Sequence, residues 1–152
     1  MINIRKFDIG DEENIWKVFY SSIHQICSQD YSKEQVEAWA PKHYDSNLWA
    51  KKIQSISPFV AIIGNTIVGY ADIQPNGKID HFFVHGDHQS KGIGKVLMTN
   101  IFKNATKLDR LYSEVSHTAE PFFTKYGFNV INQQQVKLRG VTLTNSIMEY
   151  RI

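Results

Sequence analysis

Lys78 to Ala105, KIDHFFVHGDHQSKGIGKVLMTNIFKNA, is the stretch whose reading decides the fold. Ile79 to Val84 is rich in apolar and aromatic residues, as strands are. His85, Gly86 and Asp87 break the run, and Gln89 to Gly94 (QSKGIG) forms a loop turning into a helix. Ile93, Val96, Leu97, Ile101 and Ala105 then recur at helical spacing, which puts them on one face. Glycine at 92 and 94 removes two side chains where the first helical turn begins. The free N–H groups there sit at the positive end of the helix dipole, an end suited to a phosphate or pyrophosphate.

Two familiar phosphate loops do not fit. A P-loop needs G-x-x-x-x-G-K-S/T, but Gly94-Lys95 is followed by Val96, and Gln89 stands where the first glycine should be. The dinucleotide fingerprint G-x-G-x-x-G fails because Leu97 occupies the third glycine position. What remains is Gln89-x-x-Gly92-x-Gly94 directly after a strand ending in Phe83-Val84. This resembles the signature Q/R-x-x-G-x-G/A of the GNAT superfamily of acetyl-CoA-dependent N-acetyltransferases. The resemblance implies that backbone amides of Gln89, Ser90, Lys91, Gly92, Ile93, Gly94 and Lys95 hold the coenzyme A pyrophosphate. It also implies that Phe83 and Val84 offer backbone groups to the pantetheine arm. Lys91 and Lys95 can meet the phosphates with their side chains or stay solvated.

The rest of the chain follows the same order. Ile2 to Phe7 alternates as a first strand, and Asp11 is placed to cap a helix through Ile26. Ser32 with Gln35 three residues on is a capping box, predicting a helix from Lys33 to Ala40 that stops before Pro41. Asp45 or Ser46 caps a short helix, Asn47 to Ile53. Phe59–Ile63 and Ile67–Ile73 form a hairpin across Gly64-Asn65, and Pro75-Asn76-Gly77 turns into the strand Lys78–Val84. Leu111–Val115 is a strand, Thr118–Tyr126 a helix, and Phe128–Val136 and Val141–Tyr150 two closing strands. This is the order of the GNAT fold: a single α/β (α+β) domain over residues 1–152, with a mixed sheet of about seven strands and helices on both faces. Ala119-x-x-Phe122-Phe123-x-x-x-Gly127-Phe128 is similar to the family's A-x-x-F-Y-x-x-x-G-F. Tyr31-Ser32-x-x-Gln35-Val36-x-Ala38-Trp39-Ala40-Pro41 and Arg139-Gly140-Val141-x-Leu143-x-Asn145-x-x-Met148 resemble a subgroup of uncharacterised bacterial acetyltransferases.

Composition sets the bounds. The chain has 152 residues, 42% hydrophobic and 21% charged, the balance of a folded soluble protein. A net charge of +2 gives no case for nucleic acid, and no segment has the length of a membrane span. The N-terminus lacks the apolar run of a signal peptide, and the single Cys27 cannot form an internal disulfide. The expectation is a cytoplasmic protein, monomer or homodimer, with Cys27 a buried inert thiol. The six histidines show no metal spacing.

Acetyl transfer to an amine needs a base for the amine proton, a donor for the developing oxyanion and a proton for the leaving thiolate. No protein nucleophile is required, because the donor arrives activated. Asp80 is the base candidate: by strand parity it shares a face with Val84, and a Glu commonly stands there in the family. A solvent-exposed strand acid is the alternative. The same parity turns His81 to the other side. The family's tyrosine falls on Phe123, which has no hydroxyl. Tyr126, about one helical turn on, is the substitute acid candidate; its alternative is packing at the helix end. His85 and His88 are turn residues. His24, Tyr31 and Trp39 are the acceptor-binding candidates, since an aromatic wall can hold an amine by cation–π contact; for Tyr31 and Trp39 the alternative is core packing. The expected function is transfer of an acetyl group from acetyl-CoA to the primary amine of a small molecule. The alternatives are a protein or peptide N-acetyltransferase, or a non-catalytic acyl-CoA-binding module.

Overall fold

The strand predicted over Lys78–Val84 breaks in the middle, and the break organises the molecule. The computed structural model describes residues 1–152. Its strands are β1 (Ile2–Lys6), β2 (Phe59–Ile63), β3 (Thr66–Ala71), β4 (Lys78–Ile79), β5 (Phe82–Val84), β6 (Arg110–Val115), β7 (Asn129–Leu138) and β8 (Val141–Arg151). Its helices are α1 (Glu12–Gln25), α2 (Lys33–Trp39), α3 (Ser46–Ile56), α4 (Ile93–Lys103) and α5 (Glu120–Lys125). One sheet has the order β1-β2-β3-β5 and the other β4-β6-β8-β7. β4 and β5 are halves of one strand, so the count matches the seven expected.

Ile79 runs parallel to β6, opposite Ser113, while Phe82 runs antiparallel to β3, opposite Ala71. Past Ile79 the two neighbours part, and a wedge opens between Phe82–Val84 and the segment from Glu114 to Ala119. Asp72 holds the parting. Its main-chain N–H donates to the His81 carbonyl at 3.2 Å. Its carboxylate accepts the His81 N–H at 2.6 Å and the Gln74 amide at 2.7 Å. On the other side Ser113 Oγ donates to the Ile79 carbonyl at 2.7 Å.

Alternation along β2 and β3 sends side chains to opposite faces. Val60, Ile67 and Tyr70 pack with Ile15 and Phe19 of α1 and Ile53 of α3. Ala61, Val68 and Ala71 pack with Leu97 and Ile101 of α4 and Phe123 of α5. Helices therefore cover both faces. The capping box at Ser32 and Gln35 forms in both directions, and Asp45 caps α3 through the N–H groups of Asn47 and Leu48. Asp11 stands at the head of α1 without capping it by its side chain. Arg5 takes that carboxylate in a two-point pair at 2.7 and 3.0 Å. No helix is long and apolar enough to cross a membrane.

Candidate active site

The loop ahead of α4 is built to leave N–H groups open. Gln89 ties it back to its strand, donating to the carbonyls of Val84 at 3.1 Å and His85 at 3.2 Å. Ser90 and Gly92 both take positive φ, 62° and 82°. Gly92 is the N-cap and brings no side chain. The first intrahelical bond runs from Val96 N–H to the Gly92 carbonyl, so Ile93, Gly94 and Lys95 keep unpaired N–H groups. A Cβ on Gly94 would lie 2.9 Å from the Phe122 ring.

These amides line a cavity of about 520 Å³ inside the wedge. Phe83, Val84, Gln89, Ser90, Gly92, Ile93, Gly94 and Lys95 all reach it. Lys91 does not: its ammonium lies 3.2 Å from His88 Nδ1, outside the cavity. The β5 wall has a free edge. His81 and His85 spend their backbone groups on Asp72 and Val68 of the β3 side. By antiparallel alternation the groups of Phe82 and the Val84 N–H face the wedge, the Val84 carbonyl being taken by Gln89, while Phe83, opposite Tyr70, turns its backbone to β3, which corrects the backbone role expected of it.

The opposite wall carries Ser116, Thr118, Ala119 and Phe122. Cys27 also reaches the cavity, but burial pushes its thiol up to about 11 against hydrogen bonds from Thr118 and Ser116. It stays protonated and a poor nucleophile. Phe123 is buried, its ring 5.5 Å from Phe82 and 5.1 Å from Phe128. Tyr126 ends α5 with its ring 4.9 Å from Phe122, and its hydroxyl makes no hydrogen bond within the protein.

A second cavity, of about 470 Å³, adjoins the first, and Phe83 and Ser116 line both. Asp80 lines it, paired with Lys52 Nζ at 2.6 Å. Burial alone would raise the Asp80 carboxyl. The Lys52 hydrogen bond and the charges of His81, Lys52 and Lys78 outweigh it and hold the group below its ordinary range. His81 lines the same cavity, which corrects the parity expectation. The period of two does not survive the break at Asp80–His81, and both side chains turn to one side. Burial lowers His81 to about 4, opposed by the Asp80 charge. Its Nδ1 lies 2.8 Å from the hydroxyl of the fully buried Tyr70. At neutral pH the cavity thus presents an anionic Asp80 beside an uncharged imidazole.

Tyr31 and Trp39 reach this cavity and meet edge to face at 5.4 Å. The Tyr31 hydroxyl is already spent, donating to the Thr144 carbonyl at 2.8 Å and accepting the His117 N–H at 3.0 Å. Its ring forms wall, and its hydroxyl fastens β8 to the loop before α5. His24 lies at neither cavity. Its Nε2 is 2.7 Å from the Ala40 carbonyl and its ring stacks on Tyr20 at 3.9 Å, so it anchors the end of α2. Sequence reasoning missed Trp16, Trp49, Glu114, Arg139 and Asn145 as cavity residues. Arg139 and Asn145 had a signal, the Arg-Gly-Val motif; the tryptophans looked like ordinary helix core.

The family model for the GNAT acetyltransferase domain matches residues 27–150. The chain belongs to the GNAT acetyltransferase family. That makes it an acyltransferase. It is 33% identical over 150 residues to YafP of Escherichia coli K12, an uncharacterized N-acetyltransferase, covering 99% of this chain and 96% of that one. The peptidyl-lysine N-acetyltransferase YjaB of Salmonella typhimurium is 26% identical, over 90% of this chain and 89% of its own. Among solved structures, a GCN5-related N-acetyltransferase from Rhodopseudomonas palustris superposes with a TM-score of 0.93 at 28% identity, over 99% of this chain and 95% of that one. The PaiA N-acetyltransferase of Thermoplasma acidophilum, solved with coenzyme A, shares the fold at a TM-score of 0.74 and 24% identity, over 100% and 99% of the two chains.

Proposed function

We propose that this GNAT protein, acting as one domain over residues 1–152, transfers the acetyl group of acetyl-CoA to the primary amine of a small molecule by direct attack. The observation that carries the proposal is the pair of cavities meeting at Phe83 and Ser116, one walled by open N–H groups, the other by Asp80 and aromatic rings.

The unpaired amides of Ile93, Gly94 and Lys95 suit a pyrophosphate. The open groups of Phe82 and the Val84 N–H suit the amides of an extended pantetheine arm, as an added strand would pair. The thioester then supplies the activated acyl group at the junction. Attack forms the nitrogen–carbon bond and breaks the carbon–sulfur bond; the amine loses a proton and the thiolate gains one.

Asp80 is proposed to receive that proton, directly or through water. With its affinity for protons held low, it passes the proton on to solvent rather than keeping it. His81, uncharged, orients the amine without repelling it. The unpartnered hydroxyl of Tyr126 is the proposed proton source for the thiolate, in place of Phe123. The second cavity is walled by α1, α2 and the β7–β8 hairpin, which favours a small acceptor over a protein chain. The free Cys27 supports a reducing, cytoplasmic setting.

The test is thiol release from acetyl-CoA across a library of amines, in wild type and Asp80→Asn. Amine-dependent release that Asp80→Asn slows supports the reading. Equal rates remove Asp80 as the base, and no release with any amine leaves a binding module.

A further inference from the structure

Arg139 is the one cation on the acceptor cavity that no carboxylate answers. Lys52 pairs with Asp80 at 2.6 Å, whereas Arg139 has no carboxylate within 4.0 Å. Its hydrogen bond goes to a neutral acceptor, the Ala38 carbonyl at 2.7 Å. A guanidinium carries five N–H donors, so most of them remain available at the cavity rim.

The backbone carries a cost to put it there. β7 and β8 join through two residues, Arg139 at φ 48° and Gly140 at φ 79°, with Leu138 opposite Val141. Such a turn takes Asn, Asp or Gly at its first position. An arginine in the left-handed region is strained, and strain of that kind gathers at functional sites.

Asn145 marks the other end. It lines the same cavity, and its side-chain oxygen is buried without a hydrogen-bond partner. The register sets Val115 opposite Ser146, which brings Asn145 alongside Ser116, where the two cavities meet. A buried acceptor without a partner calls for an N–H. Between Asn145 and the hairpin the wall is apolar, with Leu143, Leu138 and Trp39. The four steps from Asn145 to Val141 span about 13 Å of strand, and the Arg139 side chain turns from the hairpin toward Ala38.

We propose that the acceptor is an amine that carries a carboxylate several bonds away. Its N–H meets the Asn145 oxygen at the junction, its apolar chain lies along Leu143 and Trp39, and its carboxylate takes a two-point bond from Arg139. ω-Amino acids, and amino acids whose amine ends the side chain, have this form. The proposal rests on the acetyl-transfer reading of the same site.

The test compares aminohexanoate, its primary amide and hexylamine in wild type, Arg139→Gln and Arg139→Lys. In wild type, kcat/KM for aminohexanoate exceeds the other two by about tenfold or more, the range of a charge-assisted pair. Arg139→Gln, which removes the charge and keeps a polar amide, brings the ratio close to one through KM; Arg139→Lys keeps part of it. Calorimetric titration of aminohexanoate into the protein loaded with coenzyme A reads the same preference without turnover. Equal kcat/KM for the three amines, or a ratio unchanged by Arg139→Gln, overturns the proposal. Aminohexanoate binding that Arg139→Gln abolishes, with no acetylated product, upholds the ligand class and counts against acetyl transfer instead.

Discussion

Asp72 holds both main-chain groups of His81, its N–H on the carbonyl at 3.2 Å and its carboxylate on the N–H at 2.6 Å. That double hold splits one strand into β4 and β5 and opens the wedge between the sheets. It also has a signature in stability. Burial raises Asp72 to about 6, although the bonds from His81 and Gln74 oppose it. The native state then holds this proton more tightly than the unfolded chain, so the contribution is full below about 4 and fades as pH rises through 6. His81, lowered to about 4, has the opposite sign: its contribution is full above its ordinary value of 6.5 and fades as pH falls through 4. The two effects oppose each other in the wild type. Urea unfolding of Asp72→Asn and His81→Gln across pH 4 to 7 separates them. Relative to Asp72→Asn, the wild type loses stability, on the order of 3 kcal/mol, as pH rises; relative to His81→Gln it gains stability over the same range. Flat differences would contradict the burial of both groups.

Glycine at 92 and 94 serves the phosphate loop in two ways. Gly92→Glu forces a side chain into the left-handed N-cap, at about 1 kcal/mol, and places a negative charge beside the open amides. Gly94→Val drives a side chain into Phe122. Isothermal titration should find acetyl-CoA binding abolished in the first and weakened in the second. Wild-type affinity in Gly92→Glu would sink the loop assignment.

Tyr126→Phe probes the proton source for the thiolate. If the hydroxyl supplies it, kcat falls on the order of 10²-fold with acetyl-CoA affinity unchanged. An unaltered kcat assigns that proton to solvent.

Tyr31→Phe tests a fastening. Losing the hydroxyl leaves the His117 N–H and the Thr144 carbonyl without their partner. Chemical denaturation should show a loss of about 1–3 kcal/mol. A loss below a few tenths would mean that water replaces the hydroxyl freely.

Much of this fold was legible because its signals are local. The capping box at Ser32 and Gln35 and the glycines ahead of α4 each act within a few residues. The strand break was not legible, because its cause sits just past the end of another strand, β3: nothing within Lys78–Val84 announces Asp72. His81 was turned to the wrong side for that reason, since parity assumes an unbroken pleat. The side chains of Lys91 and His24 find partners away from the cavities, because sequence fixes a residue's neighbourhood but not its partner. His88 takes one, the Ala40 carbonyl the other. Arg139 stands in the Arg-Gly-Val motif, but its pairing with Ala38 spans 101 residues.

The central claim is direct transfer at the junction of the two cavities. Its sharpest test is a single turnover of protein loaded with acetyl-labelled acetyl-CoA and mixed with an amine such as aminohexanoate. The account predicts label on the amine nitrogen at the rate of thiol release, with none on the chain at any time, and a fall of about 10²-fold in Asp80→Asn. Label that passes through Cys27, or that stays on coenzyme A with every amine while the donor binds, would contradict it.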